Sequence, residues 1–248
     1  MQGNDDKLLI RRVGDIAALA EKYNTPRFSD FFDEREQAVL AESYADSGGV
    51  WFGGYDGAAR RMLGFFPEWC EPDMAEFPLS AVLISKKGPR TLTHRDYLGT
   101  IMSLGVERKK IGDIAVNEGG AYVFAVSDIA EHIAQGIEKI ANCGVKCSIV
   151  PLDKAEIPEP EYKIQDVVAA SLRADAVVGA VCGFSRKNAA DFIQAGYCSV
   201  NHKVILRVDH ILKEGDLLSL RGFGRAQVME TGANTRSGRL HIKIKKFI

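Results

Sequence analysis

Residues 185–204, "SRKNAADFIQAGYCSVNHKV", determine how the C-terminal third of the chain folds. Ser185 is a good helix N-cap, apolar residues recur after it at helical spacing, and Gly196 is a typical helix end before a predicted strand. The first helical turn carries Arg186 and Lys187. A helix N-terminus has partial positive charge and favours acidic residues there, so two cations are unexpected. They become favourable if a polyanion binds at this end of the helix.

The cation pair could also be present without any polyanion. Its side chains could simply be solvated, or they could pair with an acid such as Asp191 or Glu214. We expect that exchanging both cations for glutamate abolishes polyanion binding and leaves the fold at least as stable, because acids suit a helix N-terminus. An ion pair with Asp191 or Glu214 predicts the reverse, which is lower stability and little change in binding.

The charge distribution favours the interpretation that a polyanion binds at this end of the helix. From residue 171 to the end there are thirteen Lys and Arg against six Asp and Glu, a net charge of +7. The other 170 residues hold 19 basic and 27 acidic residues, a net charge of −8. A basic end on an acidic body is typical of a nucleic-acid-binding module, although such an end can also be merely solubilising.

Two proline-rich breaks, residues 65–78 and 151–163, divide the chain into three segments. Each break contains three prolines, which continue neither a helix nor a central strand. We therefore predict three domains in an α+β protein, spanning residues 1–76, 79–152 and 164–248.

The first two segments have distinct patterns. Residues 1–76 predict helices followed by a hairpin around a glycine-rich turn. Residues 79–152 predict the order βαββαβ of a ferredoxin-like domain. Its first helix begins with a capping box of Thr93 and Asp96, and its second is expected to run from a capping box at Asp128 and Glu131 to Gly144.

The third segment predicts two helices followed by several short strands. The first helix is expected over residues 165–183. The second is expected to begin at the Ser185 cap and to end at Gly196. Alternation predicts strands at 197–205, at 216–232, which includes "RGFGR" at 221–225, and at 239–247.

Recognisable catalytic and metal-binding motifs are missing from the sequence. His94-Arg95-Asp96 imitates a kinase catalytic loop, but it lacks the accompanying kinase motifs and is better understood as a capped helix start. Cys143 and Cys147 lack the second pair that a zinc site needs, so ordinary thiols are expected. We predict no catalytic residue, metal or cofactor. With no apolar run near the roughly 18 residues of a membrane span and no secretory signal, the expected location is the cytoplasm, with no membrane partner.

The middle segment, residues 79–152, contains a second candidate surface for binding nucleic acid, in this case RNA. Tyr122 and Phe124 are two residues apart on one strand and hence on one face, as in RNA-recognition motifs that stack bases on aromatic rings. The alternative is that both rings belong to the core.

Two stretches, "LRADAVVGAVCGFSRKNAADFIQAGYCSVN" and "LKEGDLLSLRGFGR", resemble the alpha-L RNA-binding motif, the small domain named after the fourth protein of the small ribosomal subunit. Upstream, "FFDEREQAVL", "GGVWFGGYDGAARRMLGFFPE" and the βαββαβ order resemble the YlmH family, so the resemblance spans nearly the whole chain. It implies binding of structured rRNA or tRNA, association with the large ribosomal subunit, and a role in handling stalled subunits obstructed by peptidyl-tRNA. A link to cell-division gene clusters is also implied, and no DNA partner is expected.

The resemblance also implies the RNA-binding residues. They would lie at the start of the second helix, on the strand beside it and on the "RGFGR" strand: Ser185, Arg186, Lys187, Asn188, Asn201, Lys203, Arg221, Gly222, Gly224 and Arg225. Arg173 either faces the RNA with them or pairs with Asp175 or Asp216.

Two further functions stay open on the sequence. Pseudouridine synthases carry the same small domain, so an RNA-modifying enzyme is an alternative, although the catalytic motif it would need is missing. An interaction scaffold that recruits a protein through the acidic body is compatible with RNA binding.

Overall fold

The computed structural model describes residues 2–44, 48–158, 162–234 and 238–247. The chain forms two compact units, Met1–Pro158 and Glu159–Ile248, called here the N-terminal unit and the C-terminal unit. Both contain helices and antiparallel sheets, so the predicted α+β class is confirmed. In the described ranges, no helix has the length and apolar composition needed to cross a membrane.

The N-terminal unit begins with two helices and a three-stranded sheet of order β1-β3-β2. These elements are α1 (Gln2–Tyr23), β1 (Arg27–Phe28), α2 (Glu34–Ser43), β2 (Val50–Phe52) and β3 (Met62–Phe65). The predicted hairpin is β2 paired with β3.

A five-stranded sheet of order β5-β6-β4-β8-β7 completes this unit. Its elements are β4 (Leu79–Lys87), α3 (His94–Ser103), β5 (Ile111–Asn117), β6 (Gly120–Val126), α4 (Ser127–Gly136), β7 (Lys139–Ile140) and β8 (Cys143–Val150). The capping box of Thr93 and Asp96 begins α3 as predicted. One face of the sheet packs on α3 and α4, and the other packs on side chains from the first 77 residues. The predicted boundary near residue 77 therefore lies inside one compact unit, and the three-domain division stays a prediction.

The second helix of this segment is shorter than predicted. It ends at Gly136 instead of Gly144, and no side chain caps its start, so the capping box expected at Asp128 and Glu131 is wrong. The chain then forms the hairpin of β7 and β8, whose two-residue loop is Ala141 and Asn142 with φ of 44° and 65°. Such a loop matches the twist of the two strands that it joins. The hairpin therefore forms here although the sequence has a helical pattern.

The C-terminal unit is a six-stranded antiparallel sheet of order β11-β10-β12-β13-β14-β9, with two helices on one face. Its elements are β9 (Tyr162–Ala169), α5 (Ala174–Cys182), α6 (Arg186–Gln194), β10 (Cys198–Val200), β11 (Lys203–Val204), β12 (Leu217–Leu220), β13 (Gly224–Asn234) and β14 (Leu240–Phe247). The second helix starts at its Ser185 cap as predicted.

Three predictions for this unit are wrong in detail. The helix expected over 165–183 is strand β9 followed by the shorter α5, because eight residues of β9 pair in register with β14. The strand expected over 197–205 is a hairpin that turns at Asn201 and His202. The stretch 221–225 is mostly the turn between β12 and β13, since Leu220 pairs with Gly224.

Candidate RNA-binding surface

The start of α6 presents the first group of predicted RNA-binding residues. The Ser185 hydroxyl accepts a hydrogen bond from the Asn188 backbone N–H at 3.2 Å, which caps the helix. Lys187 lies exposed in the first turn, and the Arg186 side chain is 70% exposed. The remaining N–H groups of this turn and the Lys187 ammonium can therefore meet an anion from solvent.

Arg186 nevertheless has an internal partner that the sequence did not reveal. Its Nε lies 3.4 Å from Oδ2 of Asp175, a carboxylate whose side chain is only 5% exposed. Arg173 forms two hydrogen bonds to the same carboxylate, at 3.1 and 3.0 Å. These bonds, first those from Arg173, hold the pKa of Asp175 below its usual value. Of the two roles left open for Arg173, the structure shows pairing with Asp175.

The turn between β12 and β13 presents the second group. Gly222 and Gly224 have φ of 83° and 85°, a conformation that side chains with a Cβ rarely adopt. Arg221 extends over the exposed ring of Tyr197, with its guanidinium carbon 4.8 Å from the ring centroid. The turn borders an open groove of about 400 Å³. The groove is lined by Gly196, Tyr197, Ser199, Ser219, Leu220, Arg221, Gly222, Gly224 and Arg225.

These two groups lie near each other. Phe184, directly before the α6 cap, contacts Phe223 in the turn with ring centroids 5.0 Å apart. Phe192 of α6 contacts both Phe223 and Tyr197, at 6.1 and 5.5 Å. The aromatic cluster therefore fixes the start of α6 next to the groove.

Asn201 and Lys203 lie elsewhere, at the opposite end of β10 from Tyr197. Asn201 is in the hairpin turn with φ of 47°, not on a strand, and Lys203 begins β11. The Asn201 amide donates to Asp216 at 2.8 Å, and its oxygen accepts from the Leu217 backbone N–H at 3.0 Å. Because these bonds stay within the protein, the structure indicates that Asn201 holds two turns together.

The Asn201→Ala variant should lower the free energy of unfolding by about 1–3 kcal/mol, because it removes two hydrogen bonds and strains a positive-φ position. Asn201→Gly should cost less, since glycine tolerates this φ and only the amide is lost. Urea unfolding of both variants measures the difference. Equal stability of both variants and the unchanged protein would contradict a structural role for this amide.

Tyr197 is a groove residue that sequence reasoning did not select. The alternation of β10 carries the signal, because Cys198 and Val200 are buried and their neighbours must face outward. The ring is 40% exposed. An aromatic ring beside an arginine suits contact with a nucleobase or ribose.

The rings of Tyr122 and Phe124 in the middle segment are not accessible to RNA. Tyr122 is 7% exposed and Phe124 is fully buried, with the Phe124 ring 5.0 Å from that of Tyr55. The possibility that these rings stack on RNA bases is therefore wrong, and the alternative that both rings are core is confirmed. Their partners come from the first 77 residues, which cover this face of the sheet.

The residues that resembled catalytic or metal-binding motifs lie at a helix start and on a strand of the N-terminal unit. His94 and Asp96 belong to the capped start of α3. Cys143 is buried and Cys147 half-buried, and burial raises the pKa of the Cys147 thiol. Within the described parts of the chain, no three His, Cys, Asp or Glu side chains group as a metal site would require.

The chain is similar to three known proteins or protein families. A family model described as "Putative RNA-binding domain in YlmH" matches residues 72–154. A Bacillus subtilis (strain 168) protein named "Ribosome-associated protein quality control protein P2" is 29% identical over 245 residues, which cover 98% of this chain and 95% of that protein. A solved structure named "Cell division protein ylmH from Streptococcus pneumoniae" is 18% identical with a TM-score of 0.49, covering 62% of this chain and 92% of that chain.

The family model falls on the sheet of β4 to β8, and the Bacillus relative extends the similarity over the C-terminal unit as well. Together they confirm the resemblance to the YlmH family that the sequence indicates.

Proposed function

We propose that this protein is a non-catalytic RNA-binding factor that acts in association with ribosomes. The groove beside the start of α6 carries the proposal. There Arg221 and Arg225 flank two glycines that let RNA approach the backbone closely. The exposed Lys187 is in the first turn of α6, whose start is linked to this turn by the contact between Phe184 and Phe223. The net charge of +7 from residue 171 onward provides the attraction for phosphate.

The finer proposal is that the RNA is structured rRNA or tRNA on the large ribosomal subunit, in cytoplasmic handling of subunits obstructed by peptidyl-tRNA. Its support is the resemblance to the YlmH family and the name of the Bacillus relative, "Ribosome-associated protein quality control protein P2". Phosphate contacts alone position a protein on RNA without specifying a sequence, so a structured target fits a site built from cations and glycines.

The N-terminal unit contributes differently in this proposal. It includes the residues matched by the family model. The rings of Tyr122 and Phe124 on its sheet are buried, so they cannot stack on RNA bases. We expect it to bind RNA more weakly than the C-terminal unit does, since the remainder of the chain before residue 171 has a net charge of −8.

Ultraviolet crosslinking in cells, followed by sequencing of the attached RNA, tests this function. We expect crosslinks concentrated in rRNA of the large subunit and in tRNA. Crosslinks spread over messenger RNA in proportion to abundance would contradict the proposal. If deleting the gene removed modification from a confined set of uridines in one RNA, the alternative of an RNA-modifying enzyme would replace it.

A further inference from the structure

The outer face of the six-stranded sheet carries a feature that the proposed function does not use. The inner face packs on α5 and α6 through residues such as Val167, Ile242 and Ile244. The outer face is open to solvent, and β9 exposes Tyr162 and Ile164 on it by 50% and 56%. Exposed large apolar side chains clustered on one sheet face indicate a binding surface more often than isolated ones do.

At one end of this face two aromatic rings enclose a cation. Tyr162 of β9 is paired directly with Phe247 of β14. The ammonium of Lys245 lies 4.0 Å from the ring centroid of Tyr162 and 5.4 Å from that of Phe247. In the part of the chain that the structure describes, Lys245 forms no ion pair, so its charge is not neutralised by a carboxylate. Tyr162, Lys245 and Phe247 are called here the aromatic–lysine patch.

The patch is continuous with the groove. The pairing of Ala226 with Lys246 places Arg225 next to Phe247, and Ala226 points inward, so Arg225 and Phe247 share the outer face. Arg225 also lines the groove beside Tyr197. From β10 to β9 there are four strand spacings, so the combined surface is about 19 Å wide.

The charge on this face is concentrated at the patch. Towards the other end, Lys243 is neutralised by Glu230 at 2.7 Å, and Asp166 is paired opposite Lys243 on β9. The positive charge of Lys245 therefore coincides with the aromatic rings and lies on the same face as Arg225. That combination suits a polyanion whose units also carry planar rings, which is a single-stranded or unpaired segment of RNA.

We propose that the aromatic–lysine patch stacks unpaired bases of the RNA whose phosphates lie along the groove. This inference rests on the proposed function, because it extends the same RNA across the sheet. Tyr162 offers its ring to a base, and Lys245 neutralises the adjacent phosphate. Arg225 connects the patch with the groove.

The test compares two RNA probes with the full-length protein: a duplex carrying a bulge of unpaired bases, and the matched continuous duplex. The Tyr162→Ala variant should bind the bulged duplex about 5- to 150-fold more weakly, the range found when a stacking ring is removed. Binding to the continuous duplex should not change, and Tyr162→Phe should retain the full affinity. Val168→Ala is the matched control, since it removes an exposed apolar side chain from the same face of β9.

The salt dependence distinguishes stacking from charge. Tyr162→Ala should lower the affinity without changing the slope of log affinity against log salt, because no phosphate contact is lost. If the unchanged protein binds neither probe, the proposed function itself fails. If it binds the bulged duplex and Tyr162→Ala binds it equally well, the stacking patch is refuted while the proposed function stands. An equal loss with Val168→Ala would also refute the patch, because the effect would then come from the strand as a whole.

Discussion

A full-length variant with Lys187 and Arg221 both replaced by glutamate should bind structured RNA about 100-fold or more weakly than the unchanged protein, because two cation–phosphate contacts become repulsive. Lys187 represents the start of α6 and Arg221 represents the groove. Titration of a labelled rRNA or tRNA fragment at constant salt measures the loss. An affinity within two- to threefold of the unchanged protein would exclude this surface.

The same variant should unfold at nearly the same denaturant concentration. A glutamate at position 187 interacts favourably with the helix dipole, by roughly 0.3–1 kcal/mol. The lost contact between Arg221 and Tyr197 costs about 0.5–1 kcal/mol at an exposed site, so the two changes nearly cancel. The control exchanges Lys7 and Arg11 of α1 for glutamate, which makes the same change in net charge on an exposed helix far along the chain. Equal losses of affinity in both variants would indicate a net-charge effect rather than a site.

Arg186 is deliberately left unchanged in that experiment, because it faces Asp175. A glutamate at position 186 would place a second carboxylate beside a nearly buried one, and stability would fall for reasons unrelated to RNA. The structure therefore argues against the sequence-based expectation that exchanging both Arg186 and Lys187 leaves the fold at least as stable, because Arg186 has an acid partner.

Replacing Asp175 by asparagine should have the second large effect, a loss of about 1.5–3 kcal/mol in the free energy of unfolding, because the carboxylate accepts hydrogen bonds from two guanidinium groups. Chemical denaturation at neutral pH measures it. The exposed Asp191 of α6 is the matched control, and Asp191→Asn should change stability by less than about 0.5 kcal/mol.

The pH dependence of this effect has a defined sign. The pKa of Asp175 is lower in the folded protein than in the unfolded chain. Its contribution is therefore fully present above the unfolded pKa, about 3.9, and is lost as the pH falls through the folded value. The stability difference between the unchanged protein and Asp175→Asn should be constant from about pH 5 to 8 and should shrink below about pH 4. A difference that grew with acidity would contradict the ion-pair interpretation.

Local signals predicted much of the fold. Strand β4 spans the nine residues expected from its apolar pattern, and the capping box of Thr93 and Asp96 marks the start of α3. The cap at Ser185 likewise marks the start of α6. Each of these features depends on residues within one turn or one strand, so the sequence contains the information directly.

The errors came from pairing between distant residues. Residues 165–169 fit a helical pattern in isolation, but β14, more than 70 residues later, pairs with them as a strand. The helix expected to reach Gly144 ends earlier, because the residues after it form the hairpin of β7 and β8 at the edge of the sheet. Long-range pairing overrides local propensity in such cases.

The candidate site also has a part that could be predicted from the sequence and a part that could not. The resemblance indicated Ser185 to Asn188 and residues of "RGFGR" at 221–225, and the structure brings these two groups together through Phe184 and Phe223. The alternation of β10 could have indicated that Tyr197 faces outward. The partner of Arg186 and the pairing of Tyr162 with Phe247 depend on contacts between separate elements. No local pattern reports such contacts.

The salt dependence of RNA binding by the full-length protein tests the central claim most directly. With four to six cationic contacts, the slope of log affinity against log salt should be about −3 to −5, and replacing both Lys187 and Arg221 by alanine should reduce its magnitude by about two. A slope near zero for the unchanged protein, or the same slope for both proteins, would mean that the groove and the start of α6 do not bind phosphate.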